Sequence, residues 1–150
     1  MKRILIVLLT LTLLAACGPV TPLSPDTPVD SGTSPDGLPS IYAPRPGDDQ
    51  LVRGNIYIDS VEMLAMESFP VQFSVTLKGG LPTPCNEIRV VYHEPDAENR
   101  INLDVYSVIA PGSICADMIQ PFEQGVALGS FPAGHYTVLV NGEKMAEFDA

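Results

Sequence analysis

Phe69-Pro70-Val71-Gln72-Phe73-Ser74-Val75-Thr76-Leu77 decides the fold. Val71, Phe73, Val75 and Leu77 fall on one side of an extended chain and Gln72, Ser74 and Thr76 on the other, the two-residue period of a strand with one buried and one wet face. The same alternation recurs downstream, in Ile88, Val90 and Tyr92, in Ile101, Leu103 and Val105, in Val126 and Leu128, and in Tyr136, Val138 and Val140. Asn141-Gly142 tolerates positive φ at both central turn positions and predicts a tight hairpin into a last strand over Lys144 to Phe148. Upstream, Ile56 and Ile58 precede Val61 and Met63; this odd spacing predicts a first strand over about 55–66 with a bulge near Asp59 and Ser60. No segment carries a helical stripe.

Seven short strands within residues 51–150, separated by Gly-rich and Pro-rich turns, predict an all-β, two-sheet sandwich. Phe131-Pro132-Ala133-Gly134-His135-Tyr136-Thr137-Val138 resembles the Gly-x-Tyr-x-Val run into the sixth strand of immunoglobulin-like domains, where a tyrosine pins the preceding corner. The expected fold class is therefore an immunoglobulin-like sandwich of about seven strands, with Tyr136 structural. The chain departs from antibody domains in having no Trp and in carrying Val138 where those domains have their second cysteine.

At the amino terminus Lys2 and Arg3 precede a 13-residue stretch, Ile4 to Ala16, that closes on Leu14-Ala15-Ala16-Cys17. A bilayer core takes about 20 apolar residues to span, so this reads as an export signal and not a transmembrane helix. It resembles the lipobox of bacterial lipoproteins. The resemblance implies a diacylglyceryl group on the Cys17 thiol, cleavage of the signal peptide 1–16, and acyl chains such as palmitate that hold the protein to a membrane of the cell envelope. The alternative is an ordinary secretory signal followed by a coincidental cysteine.

Residues 17–50 read as a lipidated Cys followed by a disordered linker. Eight prolines lie among Ser, Thr, Asp and Gly from residue 18 on, with too little apolar surface to offset ordering. Such a spacer reaches about 30 Å as a coil and about 100 Å as extended polyproline II. Without residues 1–16 the chain has six basic and eighteen acidic side chains, a formal charge of −12. That acidity argues against nucleic acid or anionic lipid headgroups as partners, since both are bound by clustered Lys and Arg.

With Cys17 lipidated, Cys85 and Cys115 are left as an even pair in an oxidising compartment and are expected to form a disulfide. The alternative, a nucleophilic cysteine beside His93 or His135, asks for a free thiol and a base in reach, and nothing flanking either cysteine marks thiolate activation. If the strands alternate in direction, both cysteines fall at one pole. The linker arrives at that pole too, leaving the opposite pole outward as the place for a partner site.

The outward pole would carry His93-Glu94-Pro95-Asp96-Ala97-Glu98-Asn99. Its three carboxylates lack the glycine-punctuated spacing of a calcium loop and its lone histidine is no zinc signature, so it reads as a solvated acidic hairpin, and no metal or cofactor is expected. There is no Gly-x-Ser-x-Gly elbow, phosphate loop or dinucleotide fingerprint, and no carboxylate pair is singled out. No catalytic residue is assigned. His135 reads as an exposed turn residue, and Phe69, Phe122 and Phe131 as caps on the sandwich core.

Glu67-Ser68-Phe69-Pro70-Val71-Gln72, Leu81-Pro82-Thr83-Pro84-Cys85, Cys115 with Pro121-Phe122-Glu123, and Gly134-His135-Tyr136-Thr137-Val138 with Val140-Asn141-Gly142 together resemble a group of small, uncharacterised bacterial exported lipoproteins with a single immunoglobulin-like β-sandwich domain. The resemblance implies a sandwich and a linking cysteine pair, and no activity. The resulting expectation is a noncatalytic envelope lipoprotein that presents its domain to an envelope or extracellular protein or glycan. An envelope protease inhibitor, using the stiff Leu81-Pro82-Thr83-Pro84-Cys85 segment, is the alternative, and an envelope hydrolase a more distant one.

Overall fold

The computed structural model describes residues 41–150. The expected signal peptide 1–16, the lipidation site Cys17 and the linker up to residue 40 lie outside the described residues. A 3-10 turn, Asp48–Gln50, leads into eight strands: β1 (Val52–Gly54), β2 (Tyr57–Met66), β3 (Gln72–Leu81), β4 (Glu87–Tyr92), β5 (Arg100–Ile109), β6 (Gln120–Gly129), β7 (His135–Val140) and β8 (Glu143–Asp149).

The strands form two sheets. One has the order β2-β3-β6, antiparallel throughout. In the other, β4 pairs with one side of β5, while β7 and the short β1 share its other side and β8 pairs with β7. The register of β2 against β3 shifts between Ile58 and Ser60, which is the expected bulge. Alternation does the rest: Val75, Leu77 and Leu128 from the first sheet meet Ile101, Leu103 and Val138 from the second, all with no exposed surface.

The β2-β3-β6 sheet and the β7–β8 hairpin follow the immunoglobulin-like pattern. β5 is the point of difference from a constant-type domain, where the fourth strand stays in the first sheet. Here it lies in the second sheet between β4 and β7 and runs parallel to β7, with Arg100 to Leu103 opposite Thr137 to Val140. Its outward residues Asn102, Asp104 and Tyr106 are only half-exposed, as suits a strand flanked on both sides.

Between the stretches of β5 paired to β7 and to β1, Asn141 fills in for a missing strand. Its side-chain amide accepts from Val105 N–H at 2.8 Å and donates to Val105 C=O at 2.9 Å. Asn141 and Gly142 have φ of 53° and 84°, so the two-residue turn that joins β7 to β8 also supplies this patch.

Two expectations need correction. The linker was expected to run to residue 50, yet residues 41–50 dock on the sandwich. Ala43 is buried, Tyr42 C=O accepts from Val90 N–H at the outer edge of β4, and the Tyr42 hydroxyl donates to Gln124 of β6. This strap closes one open side of the sandwich. Its physical anchor is Arg89, whose side chain is only 2% exposed and whose guanidinium forms a two-pronged pair with Asp48, Nε to Oδ2 at 2.7 Å and Nη2 to Oδ1 at 3.0 Å. Strand β3 also continues past Leu77 through Gly79 and Gly80. A Cβ at Gly79 would sit 1.9 Å from Tyr57 O, so only glycine lets β2 come this close.

Candidate functional site

With the strands alternating in direction, turns 82–86, 110–119 and 141–142 gather at one pole, and turns 67–71, 93–99 and 130–134 at the other. Cys85 and Cys115 are disulfide-bonded at the first pole, with a Cα–Cα separation of 6.1 Å. The turn before Cys85 is stiffened from within: the Asn86 amide oxygen accepts from Thr83 N–H and Thr83 Oγ1. With both thiols consumed in the bond, a nucleophilic cysteine is ruled out here.

The free pole rests on an aromatic base. Phe73, Phe131, Tyr136 and Phe148 contact one another at ring-centroid distances of 4.3 to 6.1 Å. The Tyr136 hydroxyl donates to Pro132 C=O at 3.1 Å, pinning the corner as the tyrosine reading expects. Phe131 is therefore a cap on the core, and Phe122, opposite Gly79 near the other end of the sandwich, packs partly buried against the same core. Phe69 is the correction: it is fully exposed. Parity along Phe69, Val71 and Phe73 would turn it inward, but β3 begins only at Gln72. Before that, Ser68 Oγ accepts from Gln72 N–H and donates to Pro70 C=O, closing a tight turn that carries Phe69 outward.

Phe69 does not stand alone. Leu64, Met66 and Val71 are each about half-exposed in the same eight-residue stretch, at the end of β2 and in the turn that follows. Isolated exposed apolar residues are ordinary, whereas four within eight residues form an exposed apolar row.

The acidic turn is tied up in its own salt bridges. Asp96 accepts from the N–H groups of Glu98 and Arg100 and from Arg100 Nε at 2.7 Å, and Glu98 takes Arg100 Nη2 at 3.0 Å. The Arg100 bonds hold the Asp96 carboxyl below its ordinary range. Among the described residues no three His, Cys, Asp or Glu side chains come together in a way that could hold a metal ion.

Both histidines face carboxylates. His93 Nε2 lies 3.0 Å from Asp104, and His135 Nδ1 lies 2.8 Å from Asp149 with Glu147 at 3.6 Å from Nε2. The Asp149 bond, helped by Glu147, raises the His135 imidazole above its ordinary value. The hydrogen bonds of both rings run to carboxylates.

Sequence reasoning missed one further concavity. An open cleft of about 720 Å³ lies beside Asn141 where β5 passes between β1 and β7, with the Arg53 guanidinium stacked 3.7 Å over the Tyr106 ring. Arg53 sits outside any apolar alternation, and nothing local in sequence joins it to Tyr106.

A family model for the ORF11 beta-sandwich domain matches residues 75–150, from within β3 to the end of the chain. A curated protein from Herpetosiphon aurantiacus, described as an uncharacterized 10.2 kDa protein in the HgiCIIM 5' region, is 32% identical over 85 residues, covering 56% of this chain and 89% of that protein. No solved structure matches. Cys85, Cys115 and Tyr136 of this chain fall within the matched stretch, and Leu64, Met66, Phe69 and Val71 precede it. The chain belongs to the ORF11 β-sandwich domain family.

Proposed function

We propose that this chain is a membrane-anchored, noncatalytic lipoprotein of the bacterial cell envelope that presents its sandwich, free pole outward, to another envelope or extracellular component. One observation carries the reading: Phe69, backed by Leu64, Met66 and Val71, projects from a pole stiffened by four packed aromatic rings. Rigid presentation lowers the ordering cost of binding, and aromatic side chains are frequent anchors of interfaces. The lipobox supplies the attachment and the proline-rich segment the spacing.

The test is site-specific photo-cross-linking in cells of the native host, with the probe placed at position 69 or at position 114. Discrete adducts from 69 and none from 114 are expected; no adducts from 69 would overturn the reading. The control position is chosen because Ile114 is equally exposed at the opposite pole.

Ile114 also favours a second reading, envelope protease inhibition. It is an apolar side chain next to Cys115, on a loop bonded to the proline-dense turn at Cys85, and a constrained loop with one protruding side chain suits a protease cleft. Inhibition of an endopeptidase preferring aliphatic side chains, abolished by Ile114→Asp, would move the function to that pole.

A further inference from the structure

We propose that the exposed edge of β2, from Val61 to Met66, accepts an extended basic and apolar segment of a partner protein as an added strand, with Leu64, Met66 and Phe69 receiving its alternate side chains. This rests on the reading of the free pole as the binding surface and names what binds there and how.

Edges of sheets are usually protected, and the edges of this sandwich differ in how far they are. The outer side of β4 is covered by the strap, with Val90 N–H donating to Tyr42 C=O. The β8 edge carries Glu143, Lys144, Glu147 and Asp149. The β6 edge carries Pro121 as its second residue and meets the strap through Gln124. β2 pairs with β3 on one side and has no paired strand on the other among the described residues. After its bulge, Val61 to Met66 runs regularly against β3 with Glu62 as its one charge and no Pro or Lys. Six residues span about 20 Å, enough for an added strand, whose main-chain bonds would supply affinity while side chains on alternate positions supply selectivity.

Charge selects the occupant. Residues 59–71 contain Asp59, Glu62 and Glu67 and no Lys or Arg. Lys78, opposite Ser60 on the neighbouring β3, is already held by Glu62 at 2.9 Å and Glu123 at 3.8 Å. Residues 41–150 carry six basic and fifteen acidic side chains, so a second copy would bring a formal charge of −9 against the same charge. Residues 18–40 contain three aspartates and no Lys or Arg, and would be repelled too. A segment alternating apolar and basic residues meets both the exposed apolar row and the acidic rim.

The probe is a fluorescein-labelled decapeptide alternating Val and Lys, titrated against the intact protein at low salt, beside a Val/Glu decapeptide and a Val/Lys decapeptide N-methylated at every second amide. The Val/Lys peptide should bind, with the Val/Glu and N-methylated peptides each weaker by about tenfold or more, since one loses the charge match and the other the ladder. Every second amide from Val61 to Met66 should then exchange with deuterium about tenfold more slowly when the Val/Lys peptide is bound. No binding at millimolar peptide, equal binding of the N-methylated peptide, or a stable dimer joined through β2 would overturn the proposal. Cross-links from position 69 with β2 amides unprotected would leave the binding pole standing and remove only the added strand; failure of both would remove the two together.

Discussion

Replacing Asp48 by Asn should destabilise the protein far more than a change in a linker could. The Arg89 guanidinium lies beneath the strap, 2% exposed, and Asp48 is 15% exposed. Removing one partner of such a pair costs about 3 to 5 kcal/mol where the other is left without compensation. Arg89 is not wholly stranded: Nη1 also donates to Glu87 at 3.1 Å and to Ile88 C=O at 2.9 Å. Glu87 is more than half exposed, so its share is screened, and a loss of about 2 to 3 kcal/mol is expected. At about 4 to 8 °C per kcal/mol for a domain of this size, Tm should fall by about 10 to 20 °C. Urea titration followed by circular dichroism, repeated against pH, reads both the size and the origin of the effect. The Arg89 bond holds the Asp48 carboxyl below its ordinary 3.8, so its stabilisation is complete above that value and is lost as pH falls through the depressed one. The gap between wild type and Asp48→Asn should accordingly close in acid. A loss under about 1 kcal/mol at neutral pH, or a gap that persists in acid, would refute the assignment of residues 41–50 to the folded domain.

Replacing Cys85 and Cys115 together by Ser should cost about 3 to 4 kcal/mol by the loop-entropy argument for a closed loop of 30 residues, measured by urea unfolding. Asn141→Gly keeps the left-handed turn while removing the amide that serves Val105, so its loss of about 1 to 3 kcal/mol isolates those two hydrogen bonds; Asn141→Ala should lose more because it adds backbone strain. The His135 pair with Asp149 stabilises the end of β8 fully below the ordinary imidazole value of 6.5 and progressively less as pH rises through the raised one, so Asp149→Asn should shift the proton-NMR titration of His135 downward and flatten the pH dependence of exchange at Ala150 N–H. Phe69→Ala should leave Tm within about 1 °C while abolishing adducts or peptide binding at the free pole.

Local alternation made the strands legible, because Phe73, Val75 and Leu77 could bury one face only as a strand. The Asn141-Gly142 turn and the Tyr136 corner were legible for the same reason, each being closed within a few residues, whereas the bonds of the Asn141 amide to Val105, 36 residues away, were not. Partners far along the chain left no such trace. Arg89 sits between Ile88 and Val90, a position that alternation sends to water, and it is buried only because Asp48, 41 residues earlier, returns to cover it. The strap itself was hidden by its proline content, which resembles that of the linker before it. The parallel pairing of β5 with β7 was equally unreadable, since a strand's pattern specifies which face is buried and not which neighbour it joins. For the candidate site, parity misplaced Phe69 because the strand it seemed to extend begins three residues later.

That misplacement bears on function. A residue turned inward by pattern and outward by structure is one whose apolar character the core does not require. Tyr42, Ala43 and the Arg89 pair close the β4/β6 side of the sandwich, the disulfide fixes one pole, and four packed rings fill the other. None of these uses Phe69, Leu64 or Met66. Holding such side chains in water adds no stability and raises the risk of association, a risk blunted here by Asp59, Glu62 and Glu67 along the same stretch. An apolar row with a one-signed rim repels copies of itself and leaves a basic, extended partner as the occupant that satisfies both features.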